Sequence, residues 1–423
     1  MAWDASRRVF LKGAGMAALG VGMGPSPLLL RAAEAATPGK GVLVHIFFRG
    51  GFDGLNFLSP YDDANYQDAR PGIALRKNDP DPLRRAIPLD SYFGLNAALA
   101  PLEPLYRDGI LGFVPAVGNL KLTRSHFDAQ DYMEQATPGD RSTKDGWLGR
   151  AVLQIGGDEV TQQVAFSGQL PRSFFGLEPV LVAQNLSQFN LRAGTANTTR
   201  NWRADAEPAL REMYQGRGLA ANVGRETFIA LDSLLRNPAA MAPATAGGPY
   251  PNSTVGNSLR QAAAIIKAGL GVRTIFVNVG GGFDTHANQL PANQLEFGRI
   301  GQSLAAFVAD LGPHLDNVVV LGLTEFGRTF TQNGSMGTDH GAGSCSFYLG
   351  GSVLGGRVVG EWPGLEKSQL NQERELKPMT DFRDLFGEVL TRHLGVYNMS
   401  DVLPNYTPQP VGMFGPTLKP RYR

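Results

Sequence analysis

The residues best suited to chemistry are concentrated in one stretch. Glu325, Arg328, Asp339 and His340 lie within sixteen positions, among glycines, just after the apolar run Val318-Val319-Val320-Leu321. Such a run reads as a buried parallel strand, so Gly322-Leu323-Thr324 delivers an acid to the strand's carboxyl end. Two other stretches end alike: residues 41–48 lead into Arg49-Gly50-Gly51-Phe52-Asp53, and residues 274–279 into Gly280-Gly281-Gly282-Phe283-Asp284-Thr285-His286. Open α/β sheets bind ligands at the carboxyl ends of their parallel strands. Asp53, Asp284 and Glu325 are therefore expected at one edge with His286 and the Asp339-His340 pair. Clustered carboxylates repel, and a divalent cation is the ordinary remedy. Mixed oxygen and nitrogen donors point to zinc or manganese before calcium. Of the six histidines, His126, His286 and His340 fall in these polar loops, whereas His45, His314 and His393 fall within or beside regular elements and read as structural. Asp53 also has a plainer reading, as the Asp of an Asp-Gly turn that caps a helix.

A hydroxyl and several guanidiniums complete the inventory. Residues 118–135 read as a strand-end loop opening a helix near Ser125. A serine there meets the positive end of the helix dipole, which lowers the cost of an alkoxide and binds an anion. With Asp128 three residues on, Ser125 reads equally well as the start of a capping box. Thr123 is the near alternative as attacking group, since a helix start read from sequence can slip by two residues. Arg328, with Arg49 or Arg124, has the planar guanidinium suited to clamping an anion.

The elements that must position these groups follow from hydrophobic periodicity. Residues 96–107 have helical spacing, with Leu95, Leu99, Leu102 and Leu105 on one face, and lead to a strand at 110–117. That is a strand, helix, strand unit, with parallel pairing and a right-handed crossover. From 147 to about 268 the signals mix: an apolar run at 180–183, helical stretches at 201–214 and 226–235, and a Pro/Gly/Ala-rich loop at 237–256. This region reads as a largely helical insertion near 150–256. Helices at 258–270 and 293–311 flank the strand at 274–279, a further strand falls at 346–350, and a helix at 380–394 carries Thr380-Asp381 and Gly395 as caps. The expected fold is α/β, a three-layer α/β/α sandwich around a mostly parallel sheet, as a single domain over residues 36–423.

Among 423 residues, 43% are hydrophobic and 18% charged, which fits a globular protein with a large core, and 53 glycines and 28 prolines imply many tight loops. Ser6-Arg7-Arg8-Val9-Phe10-Leu11-Lys12 precedes a mildly apolar run to Leu30 and then Ala33-Glu34-Ala35, so residues 1–35 read as a twin-arginine signal. The expected partner is the twin-arginine translocation machinery and the destination the periplasm or exterior. Five glycines and two prolines between Gly13 and Leu30 argue against a membrane anchor, so no stable span is expected after cleavage. Without residues 1–35 the chain carries 35 basic and 36 acidic residues, a net charge of −1. No basic field for nucleic acid is left. The single cysteine, Cys345, excludes an intramolecular disulfide.

The motifs FFRGGFDGLN, TRSHFDAQDYME, GGFDTH, LTEFGRT and TDHGAG occur in that order. Over residues 41–394 the chain resembles the exported DUF1501 family, within the alkaline phosphatase and sulfatase superfamily. The resemblance implies an alkaline-phosphatase-like fold and a metal-dependent hydrolase acting on a small anionic ester of phosphate or sulfate. It implies one or two divalent ions, with Asp53 and Glu325 holding one and Asp284, His286 and His340 the other. Ser125 would attack phosphorus or sulfur. The chain departs from the phosphatase pattern where those enzymes carry Asp-His and it has Glu325-Phe326, a nitrogen ligand lost unless Asp339 moves in. The alternative is a non-catalytic exported binding or assembly protein on the same scaffold.

Overall fold

The structure, a computed structural model, describes residues 41–119, 121, 123–157, 161–176, 179–186, 202–237 and 250–415. The twin-arginine stretch at 1–35 and most of the expected loop at 237–256 lie outside them. In chain order the strands are β1 (Val42–Phe48), β2 (Leu58–Ser59), β3 (Ala86–Pro88), β4 (Gly94–Asn96), β5 (Leu111–Gly118), β6 (Gln163–Phe166), β7 (Leu181–Val182), β8 (Thr274–Val279), β9 (Val318–Thr324), β10 (Ser344–Gly350) and β11 (Thr380–Asp381). β2, β4 and β3 form a small antiparallel sheet, and the other eight a central sheet in the order β11-β5-β10-β9-β1-β8-β6-β7.

β1 pairs in parallel with β8 and with β9, in registers that set Phe48 opposite both Val279 and Thr324. The three strands therefore end level, and their following loops open at one edge. β10 alone runs backwards, antiparallel to β9 and β5. The other seven strands run one way, so the sheet is mostly parallel.

Both faces of β1 and β9 are covered, which is why their residues are apolar without alternation. Val44, Ile46 and Phe48 face a core completed by helices Thr254–Lys267 and Gln289–Leu311, through Leu259, Ile266, Phe297 and Leu304. Leu43, Phe47 and Leu321 face a second core built from helices Trp147–Ile155 and Phe382–Val389, through Trp147, Leu148, Leu385 and Phe386. Helices on both sides of one sheet give the expected three layers. Among the described residues no helix is long and apolar enough to cross a membrane.

Several local expectations are corrected. The segment expected as one helix at 96–107 is a 3-10 helix, Ala97–Leu102, followed by a short α-helix, Glu103–Arg107. Pro101 and Pro104 have no amide proton to give an α-helical ladder. β1 and β5 run parallel but do not pair, because β9 and β10 stand between them. The region near 150–256 supplies helices Trp202–Met213 and Leu219–Arg236, but it also adds β6 and β7 to the sheet edge beyond β8. The final helix is shorter than 380–394: β11 precedes it, Asp381 caps it on Arg383 N, and a π-helical turn, Leu390–Leu394, ends at Gly395 with φ 72°.

Candidate functional site

Glycine turns bring the strand-end loops together. Gly50 and Gly51 have φ of 121° and 61°, and at Gly51 a Cβ would lie 2.5 Å from the Phe326 ring. Only glycine lets this turn close on the loop after β9, and the Gly50 amide then donates to Glu325 Oε1 at 2.8 Å. The loop from Glu325 to Gly343 folds back on itself: Thr329 N donates to Asp339 O at 2.8 Å and Gly341 N to Gly327 O at 2.9 Å. His340 thereby returns to the strand end that carries Glu325. Thr338 N donates to Thr285 O at 3.0 Å, which ties in the loop after β8.

The result is a cluster of three imidazoles and one carboxylate. His126 Nε2 and His286 Nε2 each lie 3.1 Å from His340 Nε2. Asp284 Oδ1 lies 3.0 Å from both His286 Nε2 and His340 Nε2, and Asp284 Oδ2 lies 3.4 Å from His126 Nε2. His126, Asp284 and His340 offer donor atoms all within 4.8 Å of one another. Behind each ring stands an oxygen that can only accept. His126 Nδ1 donates to Glu325 Oε1 at 2.8 Å, His286 Nδ1 to Asp339 Oδ1 at 2.9 Å, and His340 Nδ1 to the Arg124 carbonyl at 2.8 Å. In a neutral imidazole only one nitrogen carries a proton. With the proton of each neutral ring held at Nδ1, the Nε2 lone pairs would face one another beside Asp284, whereas a ring protonated on both nitrogens donates from Nε2 to that carboxylate.

The charge balance supports ionised acids. Burial opposes ionisation of Asp284, but hydrogen bonds from Arg328 and His340 outweigh it and hold its pKa down to about 2. Burial likewise opposes ionisation of Glu325, and His126, Gln130 and the Gly50 amide hold it below the usual carboxylate range. The hydrogen bond from His286 lowers Asp339. The same bond to Glu325, read from the other side, raises His126 against its partial burial. Phe326 is the floor of the cluster, its ring centroid 4.7 Å from that of His126 and 4.9 Å from that of His340.

The expected residues divide into three groups. Asp284, His286 and His340 point donor atoms into the cluster. Glu325 and Asp339 stand one step behind, each holding an imidazole. Asp53 is a correction: its carboxylate is buried, caps its own short helix through Leu55 N, and is taken by Arg70 Nη1 at 2.5 Å and Gln289 Nε2 at 2.6 Å. Arg328 is also corrected. It is fully enclosed, donates to Asp284 Oδ1 at 2.6 Å and to Thr338, and so orients a donor rather than clamping an anion. Arg49 is spent on Asn278, Gln130 and Glu134. Ser125 caps helix His126–Gln135, its Oγ accepting from Asp128 N at 3.4 Å, and Thr123 Oγ1 accepts from Ser125 N. His126 is the donor absent from the expected ligand set; its place in a polar loop with His286 and His340 was the available signal.

Residues 120–406 match the family described as Protein of unknown function (DUF1501). The matched stretch holds every donor of the cluster and excludes the first motif, at 47–56. A search of curated proteins returns no match. With the family matched over more than half of its length, the chain belongs to the DUF1501 family.

Proposed function

We propose that the cluster of His126, Asp284, His286 and His340 holds one divalent cation, zinc before manganese, in an exported hydrolase of phosphate or sulfate esters on an alkaline-phosphatase-like scaffold. The observation that carries this reading is the convergence of three Nε2 atoms on Asp284, each ring with an oxygen behind its Nδ1. Five of the six donor separations, 3.0 to 3.4 Å, also fit the ion, and His126, Asp284 and His340 are the three whose donor atoms all lie within 4.8 Å of one another. Four ligands at about 2.0–2.1 Å around a tetrahedral zinc stand about 3.3 Å apart. Oxygens behind the ligating imidazoles fix their tautomers, as is usual at metal centres. Three nitrogens and one oxygen suit zinc better than calcium or magnesium.

When bound, the ion supplies Lewis acidity toward a phosphoryl or sulfuryl oxygen. The chain's own residues do the rest. Arg328 keeps Asp284 ionised and oriented; Glu325 and Asp339 hold His126 and His286. Ser125, one residue before His126, is the attacking group in this reading. Its oxygen accepts from Asp128 N, which leaves its own proton free to be given up.

Elemental analysis of protein purified without chelator should find close to one zinc or manganese per chain, and His126→Ala with His340→Ala should remove it, while Asp53→Asn should not. A screen of aryl phosphate, phosphodiester and sulfate esters with several metals should then show turnover that depends on the same histidines. Metal without turnover of any ester would favour the binding or assembly role, to which the enclosure of Arg328 already lends some weight.

A further inference from the structure

With Arg328 enclosed and Arg49 committed to Asn278, Gln130 and Glu134, the charge that would recognise a substrate must come from elsewhere. Two other arginines border the cluster through the backbone of His340. The Arg124 carbonyl accepts from His340 Nδ1 at 2.8 Å, and Arg374 Nη1 donates to the His340 carbonyl at 3.0 Å. Both side chains are 42% exposed. Both turn toward one acid: Arg124 Nη2 donates to Glu375 Oε1, and Arg374 Nη1 lies 3.7 Å from the same oxygen. Glu375 is 1% exposed, and its other oxygen is buried without a hydrogen-bond partner.

This is an unequal arrangement. One carboxylate faces two guanidiniums, so the group carries a net positive charge, and a ligand arriving from solvent meets the guanidiniums because the carboxylate is closed to it. Arg124 meets Gln372 and Glu375 through Nη2 alone, Arg374 meets Glu375 and the His340 carbonyl through Nη1 alone, and the planar fork of an arginine suits a bidentate oxyanion. We propose that Arg124 and Arg374 form a second anion subsite beside the metal centre, so that the substrate is an ester carrying a second anionic group next to the one that meets the ion. The inference rests on the hydrolase reading above and adds the substrate class. The two positive centres, one on each side of His340, would favour a ligand with two linked anions over one with a single anion.

The test is calorimetric titration with inorganic phosphate and pyrophosphate at one ionic strength. Wild-type protein should prefer pyrophosphate. In a triple variant, Arg124→Gln, Arg374→Gln and Glu375→Gln, pyrophosphate affinity should fall at least tenfold while phosphate affinity changes less than threefold. Changing Glu375 with its partners avoids leaving a buried charge unpaired, and Arg124→Lys with Arg374→Lys, which keeps the charge and the Glu375 partner but not the planar fork, should retain part of the preference and lose the rest. A smaller fall in the triple variant, or no pyrophosphate binding by the wild type at millimolar concentration, overturns the proposal. Metal content measured on the same samples reports separately on the centre: absence of metal from wild-type protein sinks that reading, while the comparison of the two proteins for pyrophosphate still decides the subsite.

Discussion

A histidine can ligate only through the nitrogen that its other hydrogen bond leaves unprotonated, so the deciding atoms at this site are the oxygens behind the rings. Glu325, Asp339 and the Arg124 carbonyl set the direction of three lone pairs. Ser125 is the residue whose two readings make different demands. As the cap of helix His126–Gln135 it satisfies one amide that has no partner inside the helix. Ser125→Ala should therefore cost about 1 kcal/mol in urea unfolding, and Ser125→Asp, an equally good cap, should recover most of it. If the hydroxyl is also the attacking group, both variants lose turnover with metal content unchanged, and Thr123→Ala does not. Turnover retained by Ser125→Asp would leave the serine as a cap alone.

At the scale of elements, the loop after β9 is fastened from beneath by a buried ion pair. Arg70 bonds Asp53 on one side and the carbonyls of Thr329 and Phe330, at 2.7 Å each, on the other. The turn after β1 and the loop that carries His340 are thus joined through one guanidinium. Arg70→Met should destabilise the fold by about 3–5 kcal/mol, because Asp53 is left charged and buried without a partner. Arg70→Met combined with Asp53→Leu should recover part of that loss in the same unfolding measurement. An Arg70→Met variant as stable as wild type would remove the fastening role. The Arg70 partnership also shows where sequence reading stops. β1, β8 and β9 were legible because their apolar runs are unbroken, and their shared edge followed from parallel pairing, so Asp284, His286 and His340 could be grouped before any coordinates. Asp53 looked the same as Asp284, an acid after a glycine turn, and what separates them is its burial beneath Arg70 and Gln289, neither of which stands in a motif. His126 sits on the helix after β5, whose place in the sheet depends on the reversed strand β10, which nothing in its short apolar run announces. Phe326 looked like the loss of a nitrogen ligand and is instead the surface on which two imidazoles of the cluster rest.

For the molecule as a whole, the two buried histidines away from the site couple folding to pH. His45, in β1, is edged by Trp147, Phe276 and Phe386, and its pKa is pushed down to about 3 by burial, with the Leu321 carbonyl opposing and Arg49 adding to the shift. His393 donates from Nε2 to the Val42 carbonyl at 3.0 Å and is pushed down to about 4 by burial. In the unfolded chain both take up a proton near pH 6.5. Their contribution to stability is therefore complete above about pH 6.5 and is lost as the pH falls toward their folded values, because the unfolded state binds more protons throughout that window. The slope approaches about 1.4 kcal/mol per pH unit for each histidine. Other groups act elsewhere on the scale. The lowered acids Asp284 and Glu325 lose their contribution only as the pH falls below the range of free carboxylates, and His126, whose pKa is raised, keeps its contribution below pH 6.5 and loses it above. Urea unfolding of chelator-treated protein at steps from pH 6.5 to pH 5, below the His126 window, reads the two buried rings. Stability should decline across that interval, and His45→Phe, which keeps an aromatic ring among the same neighbours, should flatten the decline by about half. A wild-type stability that is level from pH 6.5 to 5 would mean that both rings accept a proton in place, and the burial of His45 and His393 as neutral rings would have to be abandoned.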